Sequence, residues 1–173
     1  MHRGKYENEL KQVLGDIYMA NDIGPDDIVI IGKDGLLLAG PNALILEPLV
    51  LYYVSLIARE VFIKNYFMRV FVLVDTLTKI RQLILRHQSD PDNVERIRFA
   101  ISEASKDLIL LQETLEYLDE SLLSGKIPSM PQDAKCKRLY RLLNCEMMSD
   151  NVRLRVRDLV KLVDGAANQL VQY

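Results

Sequence analysis

Nine apolar residues, Val94, Ile97, Ile101, Ala104, Leu108, Leu111, Leu115, Leu118 and Leu122, recur at alternating steps of three and four through the middle of the chain. At 3.6 residues per turn, that alternation holds one stripe on one side of a helix for about four heptads. Burying one large aliphatic side chain is worth about 1.5–3 kcal/mol before ordering costs, so the stripe supplies on the order of 10–20 kcal/mol gross. It must face something. Two further segments repeat the pattern: Tyr66, Val70, Leu73, Leu77, Ile80 and Ile84, and Val152, Val156, Leu159, Val163, Ala166 and Leu170. Three seams joined by short connections predict antiparallel neighbours. The expected fold is mainly α: an antiparallel bundle of four or five helices with heptad seams over 42–173, preceded by a small β-hairpin, all in one domain spanning 1–173.

Punctuation marks the helix ends. Pro41 and Pro48 bracket the entry to the helical part, and helix is expected from about Pro48 to His87, as one rod or two. Asp90-Pro91 suits a helix start, with Asp92 and Glu95 spaced as a capping box. SGKIPSMPQD then reads as a reversal loop. A helix is expected from Asp133 to about Met148, with Ser149, Asp150 and Asn151 offering the N-cap of the last one.

The N-terminal part is patterned differently. Tyr6, Leu10, Val13, Leu14 and Ile17 predict a helix over 6–20, ended by the turn formers NDIGPDD. Ile28–Ile31 and Leu36–Ala39 read as two strands around Gly32-Lys33-Asp34-Gly35. Those glycines resemble a phosphate cradle only superficially, because a Walker loop needs GxxxxGK[ST] leading into a helix and this turn leads into a second strand. A hairpin is the simpler reading, and such a hairpin must lie against a helix or another chain to be stable. The order helix, hairpin and GKDGLLLA resembles the opening of roadblock-type modules, whose sheet continues through further strands where this chain turns helical. A short N-terminal β element followed by long helices is similar to the soluble part of CorA-type magnesium transporters, whose Gly-Met-Asn signature is missing here.

Little in the chain suggests bond-making chemistry. The two histidines, His2 and His87, have no nucleophile or acid recognisably beside them, and His87 suits the negative end of a helix. Cys136 and Cys145 lack zinc-ligand spacing and read as free thiols. Glu113, Glu116, Asp119 and Glu120 flank the apolar stripe as a solvated face. No cofactor, metal or catalytic residue is assigned. Charged residues interrupt the apolar run 43–74 at Glu47, Arg59, Glu60, Lys64 and Arg69, which argues against a membrane span. The opening MHRGKYENELKQ has no apolar leader core, so an intracellular, cytoplasmic protein is expected.

Net charge is only −2, so an anionic partner would need a local patch. Between Asp92 and Lys126 eight acidic residues face four basic ones, whereas the C-terminal part is basic. Complementary flanks of neighbouring helices account for this division. The segment 44–74 is apolar on more than one face, as a central helix or a binding surface would be. The leading expectation is a non-enzymatic interaction, assembly or regulatory module that engages another protein or itself, with Tyr53, Phe62, Phe67 and Phe71 as apolar anchors. The alternative is binding of an anionic membrane surface or nucleic acid through Lys137, Arg138, Arg141, Arg153, Arg155 and Arg157. A third possibility is a small-molecule enzyme with a pocket between helices.

Overall fold

A computed structural model describes residues 6–86, 91–124 and 133–171. Over these residues the chain is mainly helical, with five helices and one three-stranded antiparallel sheet: α1 (Glu7–Leu14), β1 (Ile17–Asp22), β2 (Ile28–Gly32), β3 (Leu36–Ala39), α2 (Ala43–Arg86), α3 (Pro91–Ser124), α4 (Ala134–Leu142) and α5 (Cys145–Val171). His2, His87, Asp90 and most of the SGKIPSMPQD loop lie outside the described residues, as do the side chains of Asp92 and Asp119. The chain divides into two compact units, Met1–Val54 with Ile127–Glu146, and Ser55–Lys126 with Met147–Tyr173.

In the first unit the predicted opening helix stops early. Gly15 ends α1 in the left-handed region at φ 68°, its N–H donating to the Lys11 carbonyl, and Ile17–Asp22 is a strand. Glycine takes that backbone conformation without a Cβ penalty, so a helix that meets it can end there. The expected hairpin is therefore the second half of a meander ordered β1-β2-β3. Ala20 and Leu37 both pair with Ile30, while Asp22 and Ala39 both pair with Ile28. A bulge between Ile17 and Met19 shifts the β1 register.

The GKDG turn is occupied by its own chain. Gly32 N–H donates to the Gly35 carbonyl at 2.9 Å, Lys33 N–H to the Asp16 carbonyl at 2.9 Å, and Asp34 N–H to the Leu14 carbonyl at 2.9 Å. Three backbone donors that a phosphate cradle would aim at a ligand instead satisfy carbonyls, including one at the end of α1. Gly32 sits against Leu14 so closely that a Cβ there would strike the Leu14 carbonyl oxygen.

A buried carboxylate ties three further parts of this unit together. Asp27, 2% exposed, accepts hydrogen bonds from the Asn42 backbone N–H at 3.0 Å and side-chain Nδ2 at 2.8 Å, and pairs with Lys135 Nζ at 2.9 Å. The β1–β2 turn, the start of α2 and α4 thus meet on one carboxylate. Lys135 holds the Asp27 carboxyl below the ordinary carboxylate range, burial opposing and Asn42 assisting, and Asp27 in turn raises the Lys135 ammonium. This anchor explains why α2 starts at Ala43 rather than near Pro48. Asn42 is fixed by Asp27, its carbonyl accepts from the Ile45 and Leu46 N–H groups, and Pro48 then falls in the second turn.

The C-terminal helices also divide elsewhere than expected. The break falls at Leu143–Asn144, and Ser149–Asn151 lie inside α5, so they are not its N-cap. Asn144 adopts φ 50°, a left-handed conformation that asparagine tolerates better than most residues. At the start of α4, Asp133 caps the helix by accepting from the Lys135 N–H at 3.3 Å.

The second unit holds one hydrophobic cluster contributed by three helices. From α2 come Ile63, Tyr66, Val70, Leu73, Leu77 and Ile80; from α3, Ala104, Leu108, Leu111, Leu115 and Leu118; from α5, Val152, Val156, Leu159, Val163 and Ala166. Tyr66 carries the polar contact inside it, its hydroxyl donating to the Leu111 carbonyl at 2.6 Å, as a buried phenol requires.

Candidate functional site

α2 runs for 44 residues as one helix, about 66 Å at 1.5 Å per residue. Its buried stripe accounts for only one side. At 100° per residue, Met68 lies about 160° from both Tyr66 and Val70, and so faces away from the cluster. There the helix is apolar again: Val54, Val61, Met68, Phe71 and Val72 are each more than half exposed, and Ile57 is also exposed. Val54, Ile57, Val61, Lys64, Met68, Phe71 and Asp75 step by three and four, which makes a second stripe with one lysine in its middle and one aspartate at its end. α2 thus carries apolar residues on two opposite faces, one buried and one exposed.

The four anchors named from sequence do not share one environment. Phe67 is half-buried against the hydrophobic cluster, and its ring stacks on that of exposed Phe71 at 6.3 Å. Phe62 is 42% exposed and stacks on buried Tyr66 at 5.6 Å. Tyr53 belongs to the first unit, half-buried, with burial raising its phenol and Cys145 adding to the rise. Phe67 and Phe71 are therefore brought together at the edge of the second stripe. Val61 and Met68 in the stripe, with exposed Val72 beside it, are ones that aromatic content alone does not single out; the three and four spacing through Val61, Lys64, Met68 and Phe71 is the signal that does.

The six basic residues divide three and three between the units. Lys137, Arg138 and Arg141 line one shallow concavity of about 460 Å³ on α4 with Ala134 and Leu142. Arg153, Arg155 and Arg157 are exposed on α5, and Arg155 pairs with Glu60 of α2 at 3.2 Å.

A larger groove, about 730 Å³, lies between α1 and one face of the sheet. Ala20, Ile28, Ile30, Leu37 and Ala39 form its floor and Leu10 and Tyr6 a wall, with Glu7, Lys11 and Asp16 as its charged groups. Glu7 and Lys11 pair at 2.9 Å, which raises the Lys11 ammonium. Among the described residues, no histidine, cysteine, serine or threonine lines it.

Both cysteines are buried free thiols. Burial pushes the Cys145 thiol up to about 11 and raises that of Cys136, the opposite of what a nucleophilic thiolate needs. Among the described residues, no three His, Cys, Asp or Glu side chains gather into a metal-binding group. Among the same residues, no helix is long and apolar enough to cross a membrane.

Residues 1–42 match the family model described as the MJ1566 N-terminal domain, a stretch that holds α1, the whole sheet and the turn into α2. That description names no activity, and the groove beside α1 falls wholly within the matched residues. No curated protein matches the chain, and no solved structure does.

Proposed function

We propose that this protein is a non-enzymatic assembly module in which α2, α3 and α5 form an antiparallel helical bundle and the second apolar stripe of α2 docks another protein chain. One observation carries the reading: α2 is committed to a core on one side while Val61, Met68, Phe71 and Val72 remain exposed on the other. Exposed apolar residues are ordinary when scattered and informative when they repeat along one face. Lys64 in the middle of the stripe and Asp75 at its end give such a face specificity.

Methionine oxidation provides the test. Met68 and Met147 are similarly exposed, 63% and 58%, so dilute peroxide oxidises both at similar rates in a bare chain. In the assembled protein Met68 is protected relative to Met147, and the variant Val61→Lys/Val72→Lys abolishes the difference while its circular dichroism stays helical. Equal oxidation of the two methionines in the native protein at all concentrations rejects docking on this face.

A second reading has its own support. Lys137, Arg138 and Arg141 converge on one concavity of α4, with Arg153, Arg155 and Arg157 as a separate group, and such a surface suits phosphates of lipid or nucleic acid. Affinity for anionic vesicles or nucleic acid should then fall steeply between about 50 and 300 mM salt. A salt-independent affinity counts against it.

A further inference from the structure

The second stripe of α2 matches itself when reversed. We infer that its occupant is α2 of a second copy of this chain, paired antiparallel about a two-fold axis beside residues 69 and 70; this rests on the docking reading above. In an antiparallel pair of heptad stripes, each inner position of one helix faces the alternate inner position of the other. Reversing α2 about the 69–70 midpoint places Met68 opposite Phe71 of the second copy, Val61 opposite Thr78, and Lys64 opposite Asp75. On one flank of the seam, residues meet two positions out of that count, and there Glu60 comes beside Arg81. The two-fold axis repeats every contact, giving four ion pairs around a central Met–Phe layer.

The other arrangement of two copies is unfavourable. In a parallel pair, Lys64 faces Lys64 and Asp75 faces Asp75 along the same seam, and like charges directly opposite are destabilising. Charge therefore selects the antiparallel arrangement. Within one chain Asp75 already holds Lys79 at 2.6 Å and Glu60 holds Arg155 at 3.2 Å. All four side chains are between 40% and 69% exposed, so both pairs are weak and rearrange at little cost. A carboxylate also has acceptor capacity for a second cation.

Charge reversal and cysteine trapping on the full chain test the pairing. Light scattering of the wild type should give about twice 19.9 kDa. Lys64→Asp and Asp75→Lys each set like charges opposite one another twice, and each should weaken the dimer by about tenfold or more. The double variant should restore it. For trapping, Met68 lies three residues from its own symmetry mate along the axis, about 4.5 Å, whereas Val61 lies about 25 Å from its mate. Met68→Cys should therefore cross-link under mild oxidation and Val61→Cys should not, Cys136 and Cys145 being buried in both.

Cross-linking of both variants, as a parallel pair would give, overturns the inference. So does a double reversal that fails to rescue two weakened single variants. A monomer at every concentration, joined through α2 to a different protein that Val61→Lys/Val72→Lys releases, overturns the second copy and leaves the docking reading standing. A monomer in which that variant changes nothing removes both.

Discussion

Replacing Leu159 with alanine tests the core assignment of α5, with Leu154→Ala as its control. Leu159 is 0% exposed within the cluster of α2, α3 and α5, whereas Leu154, five residues earlier on the same helix, is 55% exposed. Removing three buried carbons forfeits about 0.8 kcal/mol each, roughly 2.4 kcal/mol. The cavity left behind raises the loss further, and buried leucine truncations cost about 2.7–5.0 kcal/mol. About 3–4 kcal/mol is expected for Leu159→Ala. Leu154 has lost only about half its exposure on folding, so its truncation should cost no more than about 1 kcal/mol. Urea unfolding followed by circular dichroism, at one fixed protein concentration, separates the two. With a slope of about 2 kcal/mol/M, the Leu159→Ala midpoint should drop by about 1.5–2 M and the Leu154→Ala midpoint by about 0.5 M or less. Equal shifts, or a larger shift for Leu154, would mean that α5 turns a different face to the core and would refute the burial on which the three-helix cluster rests.

Other outcomes follow from particular contacts. Tyr66→Phe removes the hydroxyl that donates to the Leu111 carbonyl and should cost about 1 kcal/mol in the same urea assay, leaving the fold intact. Gly40 sits at φ 142° with Asp27 Oδ1 where a Cβ would go, so Gly40→Ala should destabilise by about 1–3 kcal/mol, read as a lower thermal midpoint. The Asp27 carboxyl is depressed, so its contribution is complete above about pH 4 and is lost as the pH falls through its folded value; Lys135 is raised, so its own loss begins only above about pH 10.5. Thermal melts of Asp27→Asn should therefore show a lower midpoint at neutral pH and a flatter dependence below pH 4 than the wild type. Cys136 and Cys145 should resist a thiol reagent at pH 8 in the native protein and react fully in denaturant.

The long helices were legible because periodicity is a local property of sequence. Leu108, Leu111 and Leu115, or Val152, Val156 and Leu159, announce a buried stripe without knowledge of what it meets. β1 was hidden because Tyr6, Leu10, Val13, Leu14 and Ile17 continue a helical spacing past Gly15; of these Val13 is 74% exposed and Ile17 lies in the strand. Gly15 was the available signal, since a glycine behind a helical run often marks its end. The α4–α5 break was hidden for a related reason. Ser149-Asp150-Asn151 offers N-cap chemistry, but the chain turns at Asn144 and those three residues continue the helix.

The Asp27, Asn42 and Lys135 node could not be read in advance, because its members are 15 and 108 residues apart and each residue type is common on surfaces. The second stripe of α2 was visible only as an excess of apolar residues between 44 and 74. Aromatic size drew attention to Tyr53 and Phe62, whereas exposure of the medium-sized Val61, Met68 and Val72 marks the face itself. Burial is a tertiary quantity, and Phe67 against the cluster and Phe71 in the open differ in it although they lie four residues apart on one helix.

The proposal at stake is that the outer face of α2 is covered by α2 of a second copy. The most direct measurement is the absolute mass of the purified protein by light scattering, from about 2 to about 200 μM, beside Val61→Lys/Val72→Lys. The wild type should lie near twice 19.9 kDa and dissociate on dilution, and the variant, of equal helicity, should stay at 19.9 kDa throughout. A wild type fixed at 19.9 kDa over the whole range, or a variant that assembles as the wild type does, would contradict it.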